Sequence, residues 1–329
     1  MMSYLLVSGY AMNSPSAARP PFPDSSPGVA DQVERVAASV VAIATDRRGG
    51  AAGLLWQADV VVSSATAIAH ERRPCLVGGD GRAVEGELIG IDPDTDLAAV
   101  RVSGVDARAI EQSGDLIPRV GDFVFAVARD VHGGLQASFG HVGATGGAWR
   151  SWRGGKIEHR IRLDGGLYRG FNGAAVADCA GRVLGMATSA LSRRHGIVLP
   201  NVCIDRVLGE LLQHGHVRRP YLGIMVQPAR TVSSQGGTAT AREVLEGLLV
   251  SSVAEDAPAD VAGLRVGDIM LTIDEIALVT PEDLQQRLQD CGIGASALVG
   301  LLRAGQRLSL TITLGERSAA RHARGCCTP

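Results

Sequence analysis

Gly53-Leu54-Leu55-Trp56 and Val60-Val61-Val62-Ser63, two short apolar runs three residues apart, decide the fold. Each is too short for a helix and is closed by polar or small residues, so each reads as a strand. The pattern extends outward to Val40–Ala44 on one side and to Leu88–Ile91, Leu97–Val102 and Phe123–Val127 on the other. Short strands at this spacing with no helix between them specify an antiparallel barrel or sandwich.

Helices bracket this β region. Val29, Val33, Val36 and Val40 recur at helical spacing and predict a short amphipathic helix at the start of the folded chain. Before it, Asn13 to Gly28 is rich in Pro and Ser and reads as an extended leader. Asp205 to His214 predicts a second helix, with Val207, Leu208, Leu211 and Leu212 on one face and Gly215 as its stop. New strands follow near Gly247–Val253 and Asp268–Asp274. Thr280-Pro281-Glu282-Asp283 then opens a capped helix, and Leu308 to Leu314 alternates like a strand with one buried face. The expected organisation is a leader over 1–29, one unit over 30–216, a second over 217–317 and a tail over 318–329.

Composition fits two folded units. The chain has 329 residues, and its 42 glycines are about twice the usual share of roughly 7%, as turn-rich β structure requires. A net charge of −2 argues against a protein whose affinity rests on neutralising phosphates, whether of nucleic acid or of a membrane surface. Lys156 is the only lysine, so a catalytic lysine is excluded everywhere else. Cys75, Cys179, Cys203, Cys291, Cys326 and Cys327 form no C-x-x-C pair; the first four read as single buried thiols, and the adjacent Cys326 and Cys327 as an oxidisable pair in an Arg-rich, frayed C-terminus. Tyr4-Leu5-Leu6-Val7 is too short for a signal h-region and lacks a basic flank, and Met12 is a second possible start. With no other long apolar segment, the sequence reads as a soluble, cytoplasmic chain. No P-loop or dinucleotide fingerprint is present, so no cofactor is expected. His214-Gly215-His216 lacks the further ligands a metal would need, so no metal site is expected.

Several motifs together carry a resemblance. Ser39-Val40-Val41-Ala42-Ile43, Ala52-Gly53-Leu54-Leu55-Trp56, Asp80-Gly81-Arg82 and Ile91-Asp92-Pro93-Asp94-Thr95-Asp96-Leu97-Ala98 resemble the trypsin-like core of the HtrA/Deg serine proteases, as do Arg119-Val120-Gly121-Asp122 and Gly181-Arg182-Val183-Leu184-Gly185. Arg218-Arg219-Pro220-Tyr221-Leu222-Gly223-Ile224 and Ala262-Gly263-Leu264-Arg265-Val266-Gly267-Asp268 resemble that family's C-terminal PDZ domain. The resemblance runs from about Ala30 to Arg317, and it implies the family's usual extracytoplasmic compartment against the cytoplasmic reading of the residues alone. It implies a mainly β protein: a trypsin-like double antiparallel β-barrel, each barrel six-stranded, followed by an α+β PDZ domain.

It also implies a Ser-His-Asp triad, in which an imidazole takes the serine proton and a carboxylate holds the imidazole. Only Asp96 keeps the family's identity. The histidine motif is occupied by Val61-Val62-Ser63-Ser64-Ala65-Thr66-Ala67-Ile68, with Thr66 at the histidine position. His70 is a rival, but placing it there requires an insertion before it and a deletion after it. The nucleophile motif reads Gly170-Phe171-Asn172-Gly173-Ala174-Ala175-Val176, with Asn172 at the serine position. A carboxamide cannot be deprotonated by a neighbouring base near neutral pH, so it forms no acyl-enzyme. The N–H groups of Gly170 and Asn172 retain the outline of an oxyanion hole. The expectation is a catalytically inactive homologue, with Asp96 an acceptor for backbone N–H groups or Thr66. A residual protease in which Ser63, Ser64 or Thr66 is recruited as nucleophile is the alternative.

The PDZ resemblance implies backbone capture: Tyr221-Leu222-Gly223-Ile224 offers donors to a C-terminal carboxylate, and the strand after it takes the peptide as an added strand. Leu284 and Leu288 are candidates for the apolar pocket or for plain core, and Arg218 and Arg219 for positive charge beside the carboxylate. The implied partners are protein C-termini or extended peptides, with a homo-oligomer (a trimer in the family) or a mixed oligomer with an active paralogue as assembly. Tyr10 and Phe22 are the only leader aromatics near the family's N-terminal packing site, a thin basis for trimerisation.

Overall fold

The computed structural model describes residues 25–45, 50–111, 113–233 and 243–316. The leader aromatics, the Tyr4–Val7 run, the tail over 318–329 and Cys326 and Cys327 lie outside the described residues. Helix α1 (Ser25–Ala37) buries Val33 and Val36. It stops short of Val40, which the helical spacing had included; Val40 opens a strand and pairs with Leu54. Its β-branched side chain fits the pleat better than the last turn of a helix.

The first lobe has strands β1 (Val40–Ala44), β2 (Ala51–Gln57), β3 (Val60–Ser64), β4 (Cys75–Val77), β5 (Ala83–Glu85), β6 (Glu87–Asp92) and β7 (Leu97–Arg101). The one-turn helix α2 (Ala65–Ile68) follows β3. The strands pair in the order β5-β4-β1-β2-β3-β7-β6, all antiparallel. This is a seven-stranded sheet rather than a six-stranded closed barrel, and its inner side packs Val41, Ile43, Leu55, Val61, Ile68 and Leu76.

The second lobe is a closed barrel. Its strands are β8 (Phe123–Arg129), β9 (Leu135–Gly146), β12 (Arg160–Leu163), β13 (Ala175–Asp178), β14 (Val183–Thr188) and β15 (Ile197–Pro200), with the hairpin β10 (Trp149–Arg150) and β11 (Lys156–Ile157) outside it. Helix α3 (Asn201–His214) then crosses back over both lobes. It buries Cys203, Ile204, Val207, Leu208 and Leu211, and Trp56 Nε1 donates to Asp205 Oδ1 at 2.7 Å. Gly215 ends it in the left-handed region (φ 72°), donating to Leu211 O. Its carbonyl lies against Gly90, where any Cβ would collide with it. Of the described cysteines only Cys203 is buried, and burial pushes its thiol pKa up; Cys75 and Cys291 are half-buried and Cys179 is exposed, against the expectation of buried thiols throughout.

The second unit begins at β16 (Pro220–Tyr221) and continues with β17 (Ile224–Ser233), β18 (Glu243–Val253), α4 (Pro258–Val261), β19 (Ile269–Ile273), β20 (Ile276–Ala277), α5 (Pro281–Cys291), β21 (Ser296–Arg303), β22 (Gln306–Thr313) and β23 (Gly315–Glu316). The main sheet runs β17-β18-β19-β21-β22, which leaves β17 an edge strand. Helix α5 starts on a reciprocal cap: Thr280 Oγ1 accepts from Asp283 N–H, and Asp283 Oδ2 accepts from Thr280 N–H at 2.8 Å. The expected buried face of β22 narrows to its far end, because Leu308 is exposed and Ile312 alone on the strand is buried.

Ion pairs join the units. Arg219 reaches back to Asp92 at 2.9 Å and Asp94 at 2.5 Å; Arg218 pairs with Glu210 on α3 at 3.2 Å; and His216 meets Glu316 at 2.9 Å. Both aspartates facing Arg219 are buried. Arg219→Ala strands two carboxylates in a poorly hydrated site. The expected cost is about 2 kcal/mol, below the roughly 3–5 of a fully enclosed pair because Arg219 keeps some water contact. Earlier limited proteolysis between the units and a lower urea midpoint would record it; an unchanged midpoint would mean the joint is held elsewhere.

Candidate functional site

Asp96 sits in the tight turn before β7, in the left-handed region (φ 62°) and fully buried. Its carboxylate takes three hydrogen bonds. Oδ1 accepts from Thr66 N–H at 2.7 Å, and Oδ2 accepts from Ser64 Oγ at 2.7 Å and Thr188 Oγ1 at 2.5 Å. Its carbonyl accepts from Ala65 N–H at 3.0 Å. The turn thereby anchors the first turn of α2 and the end of β14 to one side chain. Thr66 stands exposed at the start of α2, and no histidine bonds to Asp96 among the described residues. His70 lies exposed beyond α2, with no hydrogen bond or ion pair among the described residues.

The possible replacement nucleophiles are committed elsewhere. Ser63 and Ser64 are fully buried; Ser63 Oγ donates to Ala52 O at 2.6 Å and Ser64 Oγ to Asp96. The exposed Thr66 hydroxyl makes no hydrogen bond among the described residues.

Asn172 follows Gly170 (φ 85°) and the buried Phe171. Its carbonyl accepts from Ala52 N–H at 2.9 Å, which seats the loop on β2. Gly173 (φ 86°) presses on the same Ala52 carbonyl, where a Cβ would overlap it. The Asn172 side-chain oxygen accepts from Ser189 N–H at 2.9 Å and Ser189 Oγ at 3.0 Å. The N–H groups of Gly170 and Asn172 make no hydrogen bond among the described residues, which leaves both donors unused. Sequence reasoning missed Thr188 and Ser189 as members of this cluster and took Ser64 for a possible nucleophile rather than a donor to Asp96. The polar pair Thr188-Ser189 ending the apolar run of β14 was the available signal.

In the second unit, Tyr221 pairs with Gly315, Leu222 is buried, and Gly223 takes φ 83° with Ala257 Cβ where its own Cβ would stand. The carbonyls of Leu222 and Gly223 are taken by Ala259 and Ala254 N–H at 3.0 and 2.7 Å. Their N–H groups make no hydrogen bond among the described residues, so the loop is left rich in donors. Ile224 then opens the edge strand β17, which faces α5 across a groove of about 420 Å³. Leu284 and Leu288 line the groove and belong to the unit's core as well, packed with Leu222 and Ile224, so the two readings of these leucines merge. Arg218 and Arg219 are not free cations for a carboxylate, since acids of the first unit hold both. Arg150, from the first unit, donates to Gln286 Oε1 on α5 at 2.6 Å. Burial lowers its pKa, as does the like charge of Arg219, against the pull of Asp290.

Comparisons with known proteins agree with this geometry. The profile of the trypsin-like peptidase domain matches residues 51–186, and that of the PDZ domain matches residues 220–314. A probable periplasmic serine endoprotease, DegP-like, of Brucella suis is 27% identical over 73% of this chain and 47% of its own length. The serine endoprotease DegS of Escherichia coli is 25% identical over 73% of this chain and 69% of its own. The chain thus spans about half the length of the DegP-like relative. The solved structure of the HtrA-type protease AlgW with tripeptide superposes with a TM-score of 0.65 at 25% identity, covering 88% of this chain and 97% of that one. The expectation of a cytoplasmic chain is overturned by these relatives, of which the DegP-like protein is named as periplasmic. Among the described residues no helix is long and apolar enough to cross a membrane.

Proposed function

Because the chain belongs to the HtrA-type family, a trypsin-like peptidase unit followed by a PDZ domain, we propose that it is a member that binds polypeptide C-termini and does not cleave them. The observation that carries this reading is the set of partners around Asp96. A triad aspartate holds an imidazole, whereas this one accepts from Thr66 N–H, Ser64 and Thr188 and from no histidine among the described residues. Across the cleft, Asn172 supplies a carboxamide tied to Ser189 in place of a hydroxyl. What remains is the outline of an oxyanion hole with no nucleophile, which starts no reaction. Peptide binding rests on the donor-rich Leu222-Gly223 loop, the open edge of β17 and the apolar wall of α5.

Two measurements test the two halves. The native chain should take no label from a fluorophosphonate probe and turn over no casein; labelling and turnover that both vanish in Asp96→Ala would overturn the inactive reading. A panel of peptides with free C-termini should bind, and Gly223→Val should weaken that binding about tenfold or more. The added side chain displaces the loop, and each lost bond to a carboxylate is worth roughly 1.5–3 kcal/mol. Equal binding by the variant would place the ligand elsewhere. Sizing the chain alone and with an active paralogue tests the assembly expectation.

A further inference from the structure

Three loops frame Asn172, and none contains a carboxylate. Residues 147–155 hold Arg150 and Arg153, residues 165–173 hold Arg169, and residues 189–197 hold Arg193, Arg194 and His195. Hydrogen bonds make them one surface. Trp152 Nε1 donates to Ala190 O at 3.3 Å, Gly196 N–H to Gly165 O at 2.7 Å, and Ser189 N–H to Asn172 Oδ1 at 2.9 Å.

Two large aromatic side chains stand out from this surface, Trp152 at 72% and Tyr168 at 73% exposure. The Arg153 guanidinium lies over the Trp152 ring, 4.5 Å from its centroid. Arg169, Arg193 and Arg194 are exposed, and among the described residues none of these four arginines forms an ion pair with a carboxylate. Several arginines elsewhere, Arg73, Arg119, Arg182 and Arg206, sit against an acid. In a chain whose acids slightly outnumber its bases, the four rim arginines thus leave a surplus of positive charge around this cleft, with Asp164, held by His141, the acid that borders the loops.

We infer that this rim is a docking surface for an acidic, extended polypeptide segment. Arginine forks match carboxylates in paired hydrogen bonds, and exposed Trp and Tyr supply contact area at little conformational cost. The positive field draws in a negative segment and repels a basic one. All its residues belong to the first unit; Arg153 also lines the groove beside Tyr221–Ile224, whereas Trp152, Tyr168, Arg169, Arg193 and Arg194 do not, so these add a second contact to the C-terminal capture proposed above. It also gives the Thr66/Asn172 cleft a use that needs no chemistry.

The test uses the full chain at low salt and a short fluorescent peptide of Glu and Val with an amidated C-terminus, which offers no carboxylate to the second unit. This peptide should bind and shift the tryptophan emission, and a Lys/Val counterpart should not. Raising the salt should weaken binding, as for any exposed charge pairing. Arg193→Glu with Arg194→Glu should weaken it about tenfold or more, since two attractions become repulsions, whereas Gly223→Val should leave it unchanged. Arg169→Glu, which lies outside the groove of the second unit, gives an independent second variant, and urea midpoints confirm that each is folded. The proposal is overturned if the amidated peptide fails to bind while a free C-terminus does, or if both charge-reversal variants bind as the native chain does. Tighter binding of a single-stranded oligonucleotide would overturn it too, by assigning the rim to phosphates.

Discussion

Asp96→Ala is expected to destabilise the first unit by about 4 kcal/mol, because two buried hydroxyls and a part-buried N–H lose their acceptor at roughly 1–3 kcal/mol each. The donors are Ser64 Oγ, Thr66 N–H and Thr188 Oγ1, drawn from β3, α2 and the end of β14. Alanine would also inherit a left-handed backbone (φ 62°) that aspartate tolerates better. Asp96→Asn keeps one acceptor oxygen and the tolerance for that backbone, and should recover about half of the loss. Urea unfolding followed by tryptophan fluorescence isolates the effect, since Trp56, Trp149 and Trp152 all lie in the first unit. A native midpoint in Asp96→Ala would refute a structural role for this carboxylate. The size of the loss separates the two histories of the residue: a catalytic aspartate is chiefly a cost to rate, whereas this one fastens both lobes to the turn it sits in.

What the sequence made legible was whatever its local pattern encodes. β2 and β3 announce themselves by a three-residue gap between apolar runs, and α5 by a Thr-Pro-Glu-Asp start whose reciprocal cap forms as written. α3 begins four residues before the expected Asp205, because its N-cap is Pro200 and carries no side-chain signal, while Val202 to Ile204 continue the apolar look of β15. β9 escaped notice for the opposite reason. Half of its twelve residues are exposed and glycines interrupt it, so no alternation marks them. In the cleft, Thr66, Asp96 and Asn172 were found because each stands in a recognisable motif. Thr188 was not, since its bond to Asp96 spans 92 residues and no periodicity links the two. The roles expected of Arg218 and Arg219 failed similarly: proximity to the peptide loop was legible, but the acids of the other unit that claim them were not.

Thr66→His combined with Asn172→Ser is expected to return hydrolysis to the cleft, and neither change alone should do so. A serine with no base is as poor a nucleophile as any surface hydroxyl, and an imidazole with no hydroxyl beside it has no proton to take. Triad members act as a unit, so the double variant should exceed either single one by about a thousandfold or more in fluorophosphonate labelling and casein turnover. The frame for this is in place: the chain at position 66 already leans on Asp96 Oδ1, and Gly170 and Asn172 already present unpaired N–H groups. The obstacle is Ser189, whose hydroxyl and N–H pull the side chain at position 172 toward β14. Adding Ser189→Ala to the double variant removes the hydroxyl's hold and should raise turnover further. A double variant that folds to the native urea midpoint yet takes no label would mean that the frame has closed beyond repair. In that case Ser64 and Thr188 have claimed Asp96 so fully that no imidazole can displace them.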